Sequence, residues 1–160
     1  MENILHETEG VYDKNRDFIS LVCWQDARNV KLFFYENIIP LLPKEEKFNL
    51  DIQIRKSACS STANIAEGYG RFYYQEGLQY YRISKGSTYE SKDHLISCYD
   101  LKYINIELYN EGLKLIEKAK ITIAGYIRYV KNQKKGTSVN GELLGIKGIG
   151  EIGGIGGIVF

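Results

Sequence analysis

Seven residues in the middle of the chain have the types and spacing to handle phosphates and bases: Arg55, Lys56, Arg71, Arg82 and Lys85, with Tyr69 and Tyr73 among them. Cations neutralise phosphate charge, and a phenol ring offers a face on which a base can stack. The chain holds 13 tyrosines in all, which admits a second explanation. Rims of helical bundles and subunit contacts favour a side chain with an apolar ring and a polar tip. On residue content alone both explanations stay open.

The other residues that carry chemistry do not assemble into a reacting group. His6 and His94 are isolated, and neither has a second histidine at ligand spacing; Asp93 and Asp100 miss the helical steps of three and four from His94. Gly68-x-Gly70 has no strand before it and no third glycine, so it is no dinucleotide fingerprint. Lys85-Gly86-Ser87 lacks the upstream glycine of a phosphate-binding loop, and both glycine motifs read as packing. Glu67 and Glu90 read as half-buried carboxylates that need Arg55, Arg71 or Arg82 beside them, a structural network rather than an acid and base pair. The three cysteines, Cys23, Cys59 and Cys98, show no C-x-x-C spacing and read as small buried hydrophobes. The expectation is therefore a protein that is not an enzyme, with no metal, no cofactor and no small-molecule substrate.

Charge is uneven along the 160 residues. Residues 21–135 carry 18 Lys/Arg against 13 Asp/Glu, while residues 1–20 are acidic and residues 136–160 nearly neutral. An excess of five positive charges is a modest basic bias, short of a dedicated nucleic-acid binder. Hydrophobic content of 44% with 26% charged residues is that of an ordinary globular domain. No apolar run of about 18 residues is present, and no charged segment followed by an apolar one opens the chain. A cytoplasmic protein with no membrane association is expected.

The elements that must position the basic residues are helices. Only two prolines occur, Pro40 and Pro43. Apolar residues recur at steps of three and four along Cys23, Ala27, Val30, Phe34 and Ile38, and Pro40 ends that first helix. A second helix starting near Glu45 or Phe48 buries Leu50, Ile54, Ser57, Ala58, Ser61 and Ile65; Gly68 in a left-handed conformation stops it. A third, over about 73–103, aligns Leu78, Tyr81, Ser84, Thr88, Ser91, Leu95 and Cys98. Asn105 caps a fourth, which aligns Tyr109, Leu113, Ile116, Ala119, Ile123, Ile127 and Val130. The small middles of the second and third helices allow close backbone approach. Ser84 and Ser91 then need hydrogen-bond partners, from the preceding turn or across the contact. Short connections predict an all-α, antiparallel up-down-up-down four-helix bundle over residues 18–135. Residues 1–17 read as a flexible acidic leader, and 136–160 as a low-complexity Gly/Ile tail with no assigned role.

Asn64-Ile65-Ala66-Glu67-Gly68 followed by Gly70-Arg71 resembles the N-I-A-E-G-x-G-R signature of bacterial four-helix-bundle proteins encoded in intervening sequences of large-subunit ribosomal RNA genes. That superfamily also holds the accessory variability determinant of diversity-generating retroelements. Trp24-Gln25 with Ala27, Pro43-Lys44-Glu45-Glu46, Gln53 with Arg55-Lys56, Lys85-Gly86-Ser87 and Glu90 extend the resemblance over roughly residues 18–131. Lys56 stands where a second arginine is usual and Thr62 where proline is common, and nothing after Thr137 matches. The resemblance makes Asn64, Glu67, Gly68, Gly70, Gly86, Ser87 and Glu90 the structural signature. It implies a homo-oligomer, pentameric in the retroelement branch, that binds structured RNA. The alternative is a scaffold that docks a protein such as a reverse transcriptase.

Overall fold

The computed structural model describes residues 17–71 and 74–136. The leader up to residue 16, Tyr73 and the Gly/Ile tail from residue 137 lie outside the described residues. Four helices carry the fold: α1 (Val22–Phe33), α2 (Leu50–Gly70), α3 (Tyr74–Asp100) and α4 (Ile106–Gly136). Each packs against the next, and α1 also packs against α4, so the bundle closes in up-down-up-down order. No strand occurs among the described residues.

The predicted stripes are the buried ones. Val30, Phe33, Phe34, Ile38, Ile54, Leu95, Cys98 and Ile116 form one apolar cluster toward the end that holds the α1–α2 and α3–α4 connections. Cys23, Ala27, Ile65, Leu78, Tyr81, Ile123 and Ile127 form a second toward the other end. Fully burying a side chain such as Ile54 or Leu95 stabilises the fold by about 1.5–3 kcal/mol. Cys59 departs from expectation: it is exposed, while Cys23 and Cys98 are buried. It lies on the α1 flank of α2, where the Tyr35 hydroxyl is 3.2 Å from its sulfur.

Along the α2–α3 contact the core is polar. Ser91 Oγ lies 3.0 Å from Ser57 Oγ, Ser61 Oγ lies 2.9 Å from Thr88 Oγ1, and Ser84 donates to the Ser61 carbonyl at 2.7 Å. Thr88 and Ser91 also donate to the carbonyls of Ser84 and Ser87, one turn back, each at 3.0 Å. Both routes open to buried hydroxyls are thus used, which removes the cost of burying them unbonded.

Three boundaries differ from the sequence reading. Helix geometry loosens before Pro40: α1 widens into a π-turn over Phe34–Ile38 and closes as a 3-10 turn over Ile39–Leu41. Pro40 has no N–H to give the Glu36 carbonyl, so the disturbance falls on the preceding turn. The stretch Lys44–Phe48 is a separate 3-10 turn, and α2 starts only at Leu50. Gly68 does not end α2, which continues to Gly70 with Gly68 buried inside it. There a Cβ would stand 2.6 Å from Tyr81 Cε1, so glycine is required by the approach of α3 rather than by a turn. The same logic holds at Gly112, where a Cβ would meet Leu95 and Phe33, each at 2.7 Å. Asn105 does cap α4, its side-chain oxygen accepting from Leu108 N at 3.0 Å.

Candidate nucleic-acid interface

The residues singled out in the sequence do not share one face. Arg55 sits on the α1 flank of α2, where its Nε donates to Asp51 Oδ1 at 2.5 Å and its guanidinium covers the Tyr35 ring at 4.9 Å. Lys56, the next residue, is turned by about 100° on the helix and is exposed. Arg71, just past α2, donates to Glu67 and to the Tyr80 hydroxyl, and lies 4.8 Å from the Tyr80 ring centroid. Hydrogen bonds donated to the Asp51 and Glu67 carboxylates raise the pKa of these two arginines still further, so both stay charged but are largely spoken for. Tyr69 is exposed close to the α2–α3 turn and lines a small cavity of about 70 Å³ with Gly68, Gly77, Tyr81 and Tyr126.

The signature residues act at short range. Asn64 donates to the Ser60 carbonyl at 2.8 Å, and Ser87 Oγ lies 2.8 Å from Ser60 Oγ. Gly86 has nothing within 4 Å of where a Cβ would stand. Glu90 is half exposed with His94 Nε2 3.7 Å away, so it is not the half-buried carboxylate beside an arginine that its spacing suggested. On α3 it points away from Arg82 by two and a bit turns, out of reach of a pair.

Arg82 and Lys85 belong to a different arrangement, the α3–α4 face. Arg82, Lys85, Tyr89 and Lys92 follow one another at steps of three and four, one stripe of a helix. Across from it Lys92 reaches Glu117 at 2.7 Å, and Lys120 reaches the other oxygen of Glu117 at 2.8 Å while covering the Tyr89 ring at 4.3 Å. Those contacts fix an antiparallel register, which carried along the two helices brings Lys85 level with Ala124 and Arg82 level with Arg128. Five cations, Arg82, Lys85, Lys92, Lys120 and Arg128, thus face one carboxylate, Glu117, on these two stripes. Arg82, Lys85 and Arg128 make no ion pair with a described residue. The hydrogen bonds from Lys120 and Lys92 hold the Glu117 carboxyl below its ordinary range, and Glu117 in turn raises Lys120. Lys120 occupies one face of the Tyr89 ring, so that tyrosine is a support for the cation.

Such a face attracts polyanions by charge. Lys120 and Arg128 escaped sequence reading because they lie on α4, a different helix from Arg82 and Lys92. Their helical spacing was visible, but the register joining α3 to α4 was not.

A family model described as 23S rRNA-intervening sequence protein matches residues 20–125. The matched span runs from the turn before α1 through most of α4 and covers both stripes of the basic face up to Gly125. No curated protein matches the chain.

Proposed function

The chain belongs to the 23S rRNA-intervening sequence protein family, and from that membership we propose that it is a non-enzymatic binder of structured RNA, acting in the cytoplasm. The observation that carries the reading is the α3–α4 face, where the cations of two helices outnumber the one carboxylate between them. Each lysine or arginine that neutralises a phosphate releases counterions, so the affinity comes from charge and carries no sequence information. A homo-oligomer, pentameric by the resemblance above, belongs to the same reading. Repeating a modest basic face multiplies weak phosphate contacts into avidity. The test is RNA binding by the full chain as salt is raised, alongside its mass in solution. Steeply salt-dependent binding by an oligomer supports the reading, and a monomer that ignores RNA at low salt ends it.

A second reading has its own observation. Phe48 is 80% exposed and Leu101 52%, and Leu41 and Ile106 are exposed at the same end of the bundle. A hydrogen bond of 3.0 Å from Tyr103 to Glu46 ties the two connections together there. Exposed apolar groups of this kind mark protein contacts, as an accessory subunit docking a reverse transcriptase would need. That reading expects little salt-dependent RNA binding and direct association with such an enzyme.

A further inference from the structure

The outer side of α1 carries a pocket that the basic face does not use. Ahead of the helix, a 3-10 turn over Phe18–Ser20 is set by Asp17, whose carboxylate accepts from Phe18 N at 2.6 Å. The turn brings Phe18 edge-on to Trp24, with ring centroids 5.2 Å apart. Gln25 Nε2 donates to the Ile19 carbonyl at 3.0 Å, which pins the side chain and leaves its oxygen free to accept. Ile19, Trp24, Gln25, Arg28 and Asn29 line the resulting open pocket of about 400 Å³, a size that holds a small organic ligand.

Its chemistry is specific. Arg28 and Asn29 are exposed and bonded to no described residue. The nearest carboxylate in sequence, Asp26, is buried and turned inward to Lys118 at 3.0 Å, so it does not neutralise Arg28. A guanidinium fork matches a phosphate, side-chain amides present a donor beside an acceptor as base edges do, and an indole is a surface for an aromatic ring.

We propose that this pocket holds one nucleotide, with its phosphate at Arg28, its base against Trp24, and its hydrogen-bonding edge at Gln25 and Asn29. A free mononucleotide and an unpaired residue of an RNA chain present the same groups. Only the second source rests on the RNA reading. α1 packs on α2 and α4, diagonal to α3, so the pocket grips a single base away from the α3–α4 face.

Trp24 is the one tryptophan of the chain, and its fluorescence therefore reports this pocket alone. The full chain is titrated with each of the four ribonucleoside monophosphates and, separately, with a short unstructured RNA, while anisotropy of labelled RNA follows binding anywhere on the protein. Saturable quenching by monophosphates identifies the free nucleotide as ligand, and quenching by RNA alone identifies the unpaired residue. Arg28→Ala is expected to weaken the quenching ligand about tenfold, the loss of one charge-assisted contact, with an unchanged helical circular dichroism spectrum. Asn29→Ala, also exposed, should weaken it several-fold and serves if Arg28→Ala does not fold. RNA bound by anisotropy with Trp24 unresponsive to every ligand overturns the pocket and leaves the RNA reading standing. Quenching by monophosphates without RNA binding keeps the pocket and removes that reading. Folded Arg28→Ala and Asn29→Ala proteins that both bind like the parent also overturn the pocket.

Discussion

Gly68 and Gly77 meet backbone to backbone where α2 crosses α3. A Cβ on Gly77 would stand 2.8 Å from the Gly68 carbonyl oxygen, and one on Gly68 would stand 3.0 Å from the Gly77 carbonyl oxygen. The signature glycine is thus there to let two helices touch, and the hydroxyl-bonded layer of Ser61, Ser84 and Thr88 continues that contact along the bundle.

Gly68→Ala should destabilise the protein by about 1–3 kcal/mol, since the methyl group meets a backbone oxygen and a ring that is itself held in the core. Gly86→Ala, in the open on the middle of α3, should stabilise it by about 1 kcal/mol through helix propensity alone. Urea titration of the two variants checks the opposite signs.

Much of this was legible. Steps of three and four from Cys23 to Ile38 and from Leu50 to Ile65 named the buried faces, because a helix must place those residues on one side. That Ser84 and Ser91 need hydrogen-bond partners, from the preceding turn or across the contact, was legible because a buried O–H has few options. Gly68 was misread because glycine is equally suited to ending a helix and to admitting a neighbour, and only the position of Tyr81 separates the two. Arg55 and Arg71 read both as phosphate-binding cations and as candidate partners of Glu67 or Glu90; Arg71 does pair with Glu67, while Arg55 pairs with Asp51, four residues before it, a spacing that was visible. The missing members of the basic face, Lys120 and Arg128, lie on α4, and no spacing within one helix reports which turn of another it faces.

Lys102 is the one described non-glycine residue with positive φ, at 63°. It closes α3: Tyr103 N donates to the Cys98 carbonyl and Lys102 N to the Tyr99 carbonyl, each at 2.9 Å. A side chain in this conformation costs about 1 kcal/mol, so Lys102→Gly should raise stability by about that amount. A thermal melt of the variant checks it, and the loss of one exposed charge should not alter the direction.

Glu117 links stability to pH. Its folded pKa lies below the ordinary carboxylate value of about 4.3 because Lys120 and Lys92 bond the charged form. The contribution is therefore complete above the unfolded value and is lost as pH falls through the lower folded one. Glu117→Gln should flatten the acid limb of melting temperature against pH below the ordinary carboxylate value of about 4.3, leaving the neutral plateau lowered only slightly because Glu117 is partly exposed. The same substitution removes the carboxylate from the basic face, so RNA affinity at low salt should rise.

The measurement that tests the central claim most directly is RNA affinity across a salt series for the parent, for Arg82→Glu/Arg128→Glu on the α3–α4 face, and for Lys56→Glu on the exposed side of α2. The two arginines are exposed and bonded to no described residue, so the double variant should keep its helical spectrum. It is predicted to bind every RNA more weakly by a similar factor and to lose about one unit of salt slope for each contact removed. Lys56→Glu should keep most of the parent slope. A double variant with the parent's affinity and slope would contradict the assignment of the α3–α4 face, and a folded parent that binds no RNA at low salt would contradict the account as a whole.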